Sequence, residues 1–251
     1  MRLPLKVIAH RGASEHAPEN TLPAFELAWQ QGADGVECDV RLTADCQLVC
    51  IHDADTERVA GKTLLVEKHS YADLQALDVG AWKGAAFKDT CIPLLSDLLA
   101  DSPFGKQLFI EVKTGVEILP ALLEVLDASP IDLRVITVIA FDLEVIRSLK
   151  QLRPEIRAYW LIDVQSNWLG RSKLKLDDVL DTLIEIRANG LGLRRHSGIN
   201  REMVHAILSA DLALNVWTVD DATDARRFDT FGVTSITSNE PAAMLAALFE
   251  R

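Results

Sequence analysis

Segments of strand type and segments of helix type alternate along this chain, and their order restricts the possible folds more than any other feature of the sequence. Strand patterns are predicted at residues 7–10, 35–41, 107–113, 135–141, 158–162, 191–193, 212–219 and 234–237. A segment with the apolar spacing of a helix follows each of them. Eight such units predict a (β/α)8 TIM barrel, and 251 residues suit one catalytic domain of that kind over residues 1–251.

A further strand pattern, at residues 47–53, differs from the others in the connection before it. Only the turn at residues 43–46 separates it from the strand at 35–41. Parallel strands need a crossover of about a dozen residues or more, so these two strands are predicted to form an antiparallel hairpin whose second strand is a flap outside the barrel. Residues from about 54 to 92 then interrupt the alternation and are interpreted as a small insertion after the second barrel strand.

Two local signals complete the expected architecture. Asn20 and Thr21 are predicted to cap the first helix, and a loop is predicted between the strand at 158–162 and a helix at 177–188. The rival fold, an open doubly wound sheet, would need a nucleotide-type glycine-rich turn after the first strand. Residues 11–14 do not match G-x-G-x-x-G, so the barrel is favoured.

The overall charge limits the possible partners. The formal net charge of −11 argues against nucleic acid or an anionic membrane as a main partner, but not against a small anionic substrate. No apolar run approaches the roughly 18 residues of a membrane span, no secretion signal precedes the first strand, and the four cysteines form no metal-type pair. We therefore expect a cytoplasmic protein that acts on a small molecule, and its oligomeric state stays open.

Polar side chains gather where several predicted strands end. They are His10, Arg11, Glu37, Asp39, His52, Glu111 and Lys113. Because side chains alternate along a strand, Glu37 and Asp39 share one face, and Glu111 shares a face with Lys113. Functional groups of barrel enzymes lie at the carboxyl ends of the strands. The pattern therefore predicts that three carboxylates meet at the mouth of the barrel.

Three neighbouring carboxylates need compensating charge. Two of them about 4 Å apart repel by about 4 kcal/mol at an effective dielectric constant of 20. A divalent cation with oxygen ligands, Mg²⁺ or Ca²⁺ rather than zinc, would compensate Glu37, Asp39 and Glu111. The alternative is a salt-bridged network without metal, in which Arg11 and Lys113 offset part of the charge. The spacing of the residues leaves both possibilities open.

Two histidines form the second group of candidate residues. The hairpin places His52 across from about Cys38, level with the carboxylates, and His10 ends the neighbouring strand. Two imidazoles on either side of a phosphate can act as general base and general acid. No Gly-x-Ser-x-Gly elbow is present and no cysteine has a credible histidine partner, so acid–base chemistry is favoured over a covalent nucleophile.

Taken together, these motifs resemble the glycerophosphodiester phosphodiesterase family, in its bacterial cytoplasmic type. The matching stretches, in the order of the family, are His10-Arg11-Gly12, Pro18-Glu19-Asn20-Thr21, Glu37-Cys38-Asp39-Val40, His52-Asp53, Glu111-Val112-Lys113 and Trp217-Thr218-Val219. The resemblance implies a TIM-barrel enzyme that hydrolyses glycerophosphodiesters to sn-glycerol 3-phosphate and an alcohol, with Mg²⁺ or Ca²⁺ as cofactor. It also accounts for the insertion after the flap.

The resemblance also implies roles for single residues. Glu37, Asp39 and Glu111 match the metal ligands, His10 and His52 the acid–base pair, Arg11 and Lys113 groups near the phosphate, and Trp217 an aromatic beside the glycerol pocket. An ordinary core aromatic is the alternative for Trp217. We assign His10 as base and His52 as acid, although the sequence does not order them, and the first nucleophile is either water or the glycerol hydroxyl of the substrate.

Three stretches depart from the family pattern, namely Asp45-Cys46 in the hairpin turn, Ala140-Phe141 and residues 237–241. These departures affect substrate preference more than chemistry. A related phosphodiesterase that acts on lysophospholipids is the nearest alternative, and Trp82 and Phe87 of the insertion are candidates for the apolar rim it would need. A catalytically silent anion-binding barrel is less favoured, because binding phosphate does not require both histidines and all three carboxylates.

Overall fold

A closed parallel barrel forms the body of the protein. The computed structural model describes residues 4–163 and 175–249. The barrel strands are β1 Lys6–His10, β2 Gly35–Leu42, β4 Gln107–Val112, β5 Ile136–Ala140, β6 Arg157–Ile162, β7 Gly190–Arg194, β8 Ala213–Trp217 and β9 Ser235–Ser238, and the flap strand is β3 Leu48–Cys50. Each barrel strand pairs in parallel with the next, and β1 pairs with both β2 and β9. The predicted (β/α)8 barrel is confirmed.

Helices separate the barrel strands along the chain. They are α1 Leu22–Gln30, α2 Glu57–Ala60, α3 Tyr71–Gln75, α4 Leu95–Asp101, α5 Leu119–Ala128, α6 Leu143–Leu152, α7 Leu176–Glu185, α8 Arg201–Ser209, α9 Ala222–Phe231 and α10 Pro241–Phe249. The short helices α2 and α3 belong to the insertion. Most of the loop predicted after residue 162 lies outside the described residues. Within the described ranges, no helix is both long and apolar enough to pass through a membrane.

Strand β2 shows how the pleat separates core from site. Val36, Cys38 and Val40 are at most 1% exposed and pack among the apolar residues of the outer core. Glu37 and Asp39 point to the other face, into the barrel. Since side chains alternate along a strand, one eight-residue segment supplies both the helix-facing core and two of the carboxylates.

The lower half of the barrel interior is closed by apolar side chains. Ile8, Phe109, Ile139, Tyr159 and Leu161 form a separate cluster there, and the rings of Phe109 and Tyr159 meet edge to face with centroids 5.7 Å apart. Burial of each large side chain contributes about 1.5–3 kcal/mol. This part of the interior is therefore a packed apolar core, and the clustered charged groups lie at the carboxyl end of the barrel.

The flap runs antiparallel to β2, as predicted. Val40 pairs with Cys50 and Leu42 with Leu48, which is the register expected from the short turn. Strand β3 ends at Cys50, earlier than the predicted 47–53, because the chain leaves the ladder after Ile51, whose N–H donates to the Asp39 carbonyl (3.0 Å). His52 thus lies in the loop after the strand, close to its predicted level.

The insertion has a small core of its own. Its members are Val49, Ile51, Val59, Val66, Leu74, Val79 and Ile92. Helix α3 begins with a capping box in which Ser70 accepts from the Asp73 N–H and the Asp73 carboxylate accepts from the Ser70 N–H. Val49 and Ile51 of this small core belong to the flap segment, so the insertion packs against the flap.

The capping predicted for α1 is correct in the position of Thr21, but no side chain makes the capping hydrogen bond. Thr21 occupies the N-cap position, but its hydroxyl donates to the Pro18 carbonyl (2.6 Å) rather than accepting from the helix. Asn20 has φ 56° and turns its side chain to Asp39 instead. Pro23 in the first turn favours the start of the helix. The side chain of Asn20 instead bonds a carboxylate of the candidate site.

Candidate active site

The tip of β1 aims two side chains at the mouth of the barrel. The chain turns sharply after His10, with φ 55° at Arg11 and φ 82° at Gly12. A Cβ on Gly12 would lie 2.5 Å from the backbone carbon of Ala24, so only glycine permits this close approach of α1. The turn brings the Arg11 side chain over Asp39, where its Nε lies 3.1 Å from Oδ2.

The three predicted carboxylates meet. Glu37 and Asp39 follow one another on the inner face of β2, and Glu111 is the register partner of Asp39 on β4. One carboxylate oxygen from each lies within 4.8 Å of the others, and all three residues are buried. Glu37 Oε1 and Asp39 Oδ1 accept no hydrogen bond from any described residue. Buried oxygens without a donor are costly, which makes this group a candidate cation site.

Cations and donors surround the carboxylates on their other sides. Lys113 Nζ lies 2.6 Å from Glu111 Oε1 and 3.5 Å from Asp39 Oδ1, and the Arg11 N–H donates to Glu37 Oε2 (2.9 Å). Asn20 Nδ2 donates to Asp39 Oδ2 (2.8 Å), and Asn20 Oδ1 accepts from the Asp39 N–H (3.0 Å). The salt-bridged network considered from the sequence is thus present, but it leaves Glu37 Oε1 and Asp39 Oδ1 without a hydrogen bond from any described residue.

The three carboxyl groups differ in acidity. Burial, with the neighbouring charges of Asp39 and Glu111, raises the pKa of Glu37 well above its ordinary value. Burial and Asp39 raise the pKa of Glu111 to about 7. Burial acts in the same direction on Asp39, but Arg11 and Lys113 outweigh it and lower the pKa of that carboxyl. The metal-free site therefore carries less negative charge than three ionised carboxylates.

Glu111 makes the stability of the metal-free protein depend on pH. The folded state binds the proton of the Glu111 carboxyl group more tightly than the unfolded state does. The stabilisation from the protonated carboxyl group is therefore fully present below about pH 4.5 and is lost as the pH rises through about 7. The shift corresponds to about 3 kcal/mol. We expect that the free energy of unfolding of the wild type falls relative to Glu111→Gln between pH 5 and pH 8. Urea denaturation in EDTA measures it.

A matched substitution checks the cause of that pH dependence. Glu124 is exposed on α5, so Glu124→Gln is expected to give the same pH profile as the wild type. Parallel profiles of the wild type and Glu111→Gln would contradict the raised pKa of Glu111.

Both predicted histidines face the same cavity, and each has a hydrogen-bond partner at Nδ1. His10 Nδ1 lies 2.8 Å from Asn239 Oδ1, and His52 Nδ1 lies 2.8 Å from Asp53 Oδ1. Burial, followed by Arg11, lowers the pKa of His10; burial is also the main cause that lowers the pKa of His52. In each ring Nε2 is the nitrogen left for chemistry.

A chain of ion pairs connects the two sides of the site. Arg11 Nη1 lies 2.9 Å from Glu19, and Glu19 takes two hydrogen bonds from Arg58 (2.6 and 2.8 Å). Arg58 Nε also lies 2.6 Å from Asp53, which holds His52. Sequence reasoning named Glu19 only as part of a family motif, without a role, and missed Arg58, because Arg58 belongs to the insertion and no local pattern connects it with the first strand.

The cavity has a volume of about 460 Å³ at the carboxyl end of the barrel. Its lining includes six of the seven clustered polar residues together with Ile139, Phe141, Leu161, Arg194, Arg195, Asn215, Trp217, Thr218 and Thr237. Trp217 forms one wall, with its ring edge to face against Phe141 at 5.6 Å between centroids. Asp39 is fully buried beneath the cavity. Trp217 thus lies beside the cavity, as its predicted role requires.

The departures from the family pattern have different positions. Phe141 and Thr237 line the cavity, Asn239 bonds His10, and Cys46 takes the left-handed turn conformation (φ 59°) on the flap, away from the cavity. Trp82 of the insertion is 49% exposed and Phe87 is half-buried. Neither of these two aromatics lines the cavity.

Comparison with known proteins identifies the family. Residues 10–243 match the glycerophosphoryl diester phosphodiesterase family. The chain is 32% identical over 238 residues to the putative glycerophosphodiester phosphodiesterase YhdW of Bacillus subtilis (strain 168), covering 94% of each protein. It is 29% identical over 252 residues to the glycerophosphodiester phosphodiesterase of Caldanaerobacter subterraneus subsp. tengcongensis, covering 95% of this chain and 96% of that protein.

A solved structure agrees with these matches. An Oleispira antarctica phosphodiesterase, in complex with the product sn-glycerol-3-phosphate, superposes with a TM-score of 0.86 at 30% identity over 98% of this chain and 97% of that one. The resemblance found in the sequence motifs is confirmed, and so is the interpretation of the chain as an enzyme. The chain belongs to the glycerophosphoryl diester phosphodiesterase family.

Proposed function

We propose that this enzyme hydrolyses glycerophosphodiesters to sn-glycerol 3-phosphate and an alcohol, with a divalent cation and two histidines. The observation that carries the proposal is the convergence of three buried carboxylates, two cations and two imidazoles on one cavity. The structural relative from Oleispira antarctica, which holds sn-glycerol-3-phosphate as its product, supports the substrate class.

Glu37, Asp39 and Glu111 would hold the cation. The ligand atoms are all oxygen, which suits Mg²⁺ or Ca²⁺, and two of these buried oxygens accept no hydrogen bond from any described residue. When bound, a divalent cation supplies charge that polarises a phosphoryl oxygen. Release of protons from Glu37 and Glu111 would accompany its binding, since their raised pKa values favour the protonated forms.

Arg11 and Lys113 would bind the phosphoryl oxygens. Both side chains line the cavity, and their charged groups lie 3.1 and 3.5 Å from Asp39, so a phosphoryl group in the cavity would meet two fixed cations. Fixed cations in a partly desolvated cavity stabilise the negative charge that grows in the transition state more than water does. Trp217 would pack beside the glycerol end of the substrate.

The two histidines would move the protons. His10 accepts the proton of the nucleophile, either water or the glycerol hydroxyl of the substrate, and His52 donates a proton to the departing alkoxide. Asp53 accepts a hydrogen bond from His52 and supports its protonated form.

The proposed cytoplasmic location suits this chain, because all four cysteines are free and two are exposed.

The alternatives predict different substrates. A lysophospholipid-cleaving enzyme would need an apolar rim at the cavity, and neither Trp82 nor Phe87 is among the residues that line it. A silent anion-binding barrel would explain Arg11 and Lys113, but not the paired imidazoles or the oxygens that lack donors.

A head-group panel tests the proposal. We expect that glycerophosphocholine and glycerophosphoethanolamine are cleaved with release of glycerol 3-phosphate in Mg²⁺ or Ca²⁺, at rates at least about 10-fold above those for lysophosphatidylcholine, because neither aromatic of the insertion lines the cavity to receive an acyl chain. Enzymatic assay of released glycerol 3-phosphate measures the reaction. Release of choline from lysophosphatidylcholine at the higher rate would favour the alternative, and no turnover of any diester would favour the silent barrel.

A further inference from the structure

His10 is held by hydrogen bonds that reach to the last strand of the barrel. Asn239 follows β9, and the pairing of β9 with β1 brings it beside His10. Asn239 Oδ1 lies 2.8 Å from His10 Nδ1 and also accepts from Ser14 Oγ (2.9 Å). On its far side, Asn239 donates twice to Asp220, from Nδ2 to Oδ2 and from the backbone N–H to Oδ1, both at 2.7 Å.

The carboxylate of Asp220 determines which way the amide of Asn239 points. An ionised carboxylate accepts hydrogen bonds and donates none, and Ser238 Oγ also donates to it (2.8 Å). Nδ2 of Asn239 must therefore face Asp220, because the reverse orientation would bring two oxygens into contact. The Oδ1 atom then faces His10.

The orientation of the amide in turn determines the proton position in His10. Oδ1 has no proton to donate, so His10 Nδ1 must carry the N–H, and the lone pair of the neutral ring is on Nε2. His10 lines the cavity, and with Nδ1 engaged by Asn239, Nε2 is the nitrogen available there. This is the tautomer that a general base at this position needs.

We propose that Asn239 and Asp220 are positioning residues that hold His10 as the Nδ1–H tautomer, so that Nε2 accepts the proton of the nucleophile. In that step the O–H bond of the nucleophile breaks and an Nε2–H bond forms, which leaves a cationic ring with both nitrogens protonated. The inference rests on the proposed function, in which His10 is the base. At His52 the carboxylate of Asp53 contacts the ring directly. At His10 the tautomer depends on the carboxylate of Asp220, which contacts Asn239 and not the ring.

Nitrogen-15 NMR of the full chain with labelled histidine tests the tautomer without any substrate. Long-range ¹H–¹⁵N correlations distinguish Nδ1–H from Nε2–H rings, and His10→Gln identifies the signal. We expect an Nδ1–H ring in the wild type and a mixture of tautomers in Asp220→Asn, because the introduced amide lets Asn239 turn over. The same variant should lose about 10-fold or more in kcat with KM changed by less than about 3-fold, given that the wrong tautomer costs a hydrolase up to about 10⁴.

A double substitution provides the rescue. Asp220→Asn combined with Asn239→Asp moves the carboxylate next to His10, where it again accepts from Nδ1. We expect the Nδ1–H tautomer to return and the acidic limb of the kcat profile to move to higher pH, since an adjacent carboxylate favours the protonated ring. Asp132→Asn, at an exposed turn before β5, is the matched control and should resemble the wild type in both measurements.

Two results would overturn the inference. One is an Nε2–H ring in the wild type; the other is wild-type tautomer and kcat in Asp220→Asn. A wild type that cleaves no glycerophosphodiester but shows the Nδ1–H ring would contradict the proposed function and still support the assignment of the tautomer to Asn239 and Asp220.

Discussion

Glutamine in place of His52 is expected to lower kcat for glycerophosphocholine by about 10²–10⁴-fold with little change in KM. The ring lines the cavity, 31% of the side chain is exposed, and Nδ1 bonds Asp53. Glutamine keeps a polar group at this partly exposed position, so the free energy of unfolding should change by less than about 1 kcal/mol. Steady-state kinetics and a thermal melt measure the two effects.

A substrate whose leaving group needs no proton distinguishes the roles of the two histidines. The p-nitrophenolate ion departs without protonation, so His52→Gln should recover most of its activity on glycerophospho-p-nitrophenol. His10→Gln should stay slow on both substrates, because the nucleophile must still lose its proton.

The opposite pattern would reverse the assignment of base and acid. Wild-type kcat in both variants would remove the acid–base pair altogether. His205→Gln is the matched control, since His205 is exposed on α8, and its kinetics should equal those of the wild type.

Removal of divalent cations is expected to reduce activity to background, at least about 10³-fold, because the charge that polarises the phosphoryl group is lost. Titration of EDTA-treated enzyme with Mg²⁺ or Ca²⁺ should restore it. The same titration should raise the thermal midpoint, since a ligand that binds the folded state at 100 times its Kd adds about 2.7 kcal/mol of stability. Assay and calorimetry on one sample measure both effects.

Glu37→Gln tests which residues hold the cation. Glu37 Oε1 is buried without a donor, and an amide at this position keeps the size but removes a charged ligand, so cation affinity measured by isothermal titration should fall at least about 10-fold. Glu124→Gln on the exposed side of α5 should bind as tightly as the wild type. Full activity in EDTA together with wild-type kinetics in Glu37→Gln would favour the salt-bridged network without metal.

Local patterns predicted the parts of the site that lie on single strands. Glu37 and Asp39 share a face because side chains alternate along β2, and the register with β4 puts Glu111 beside Asp39. The short turn before the flap, five residues from β2 to β3, was enough to place His52 near their level. These features depend on neighbours in sequence or on the geometry of one hairpin, so a sequence carries them.

Competition among partners explains why local rules failed elsewhere. Asn20 has the residue type of a helix cap and directly precedes the N-cap position, but its amide bonds the buried carboxylate of Asp39, where a hydrogen bond to an ion is stronger than one to the helix. Strand β3 is shorter than its apolar pattern because the chain leaves the ladder to carry His52 to the cavity. In both cases the site outweighs local propensity.

Periodicity, chain order and connection length were enough to predict the barrel, the flap and the seven clustered polar residues. The hydrogen-bond and ion-pair partners of those polar residues follow only from the folded structure. Asn239 reaches His10 across 229 positions through the β1–β9 pairing that closes the barrel, and Arg58 reaches Glu19 across 39 positions through the insertion. Such contacts have no local period, because they arise from the closure of the barrel and from the packing of its loops.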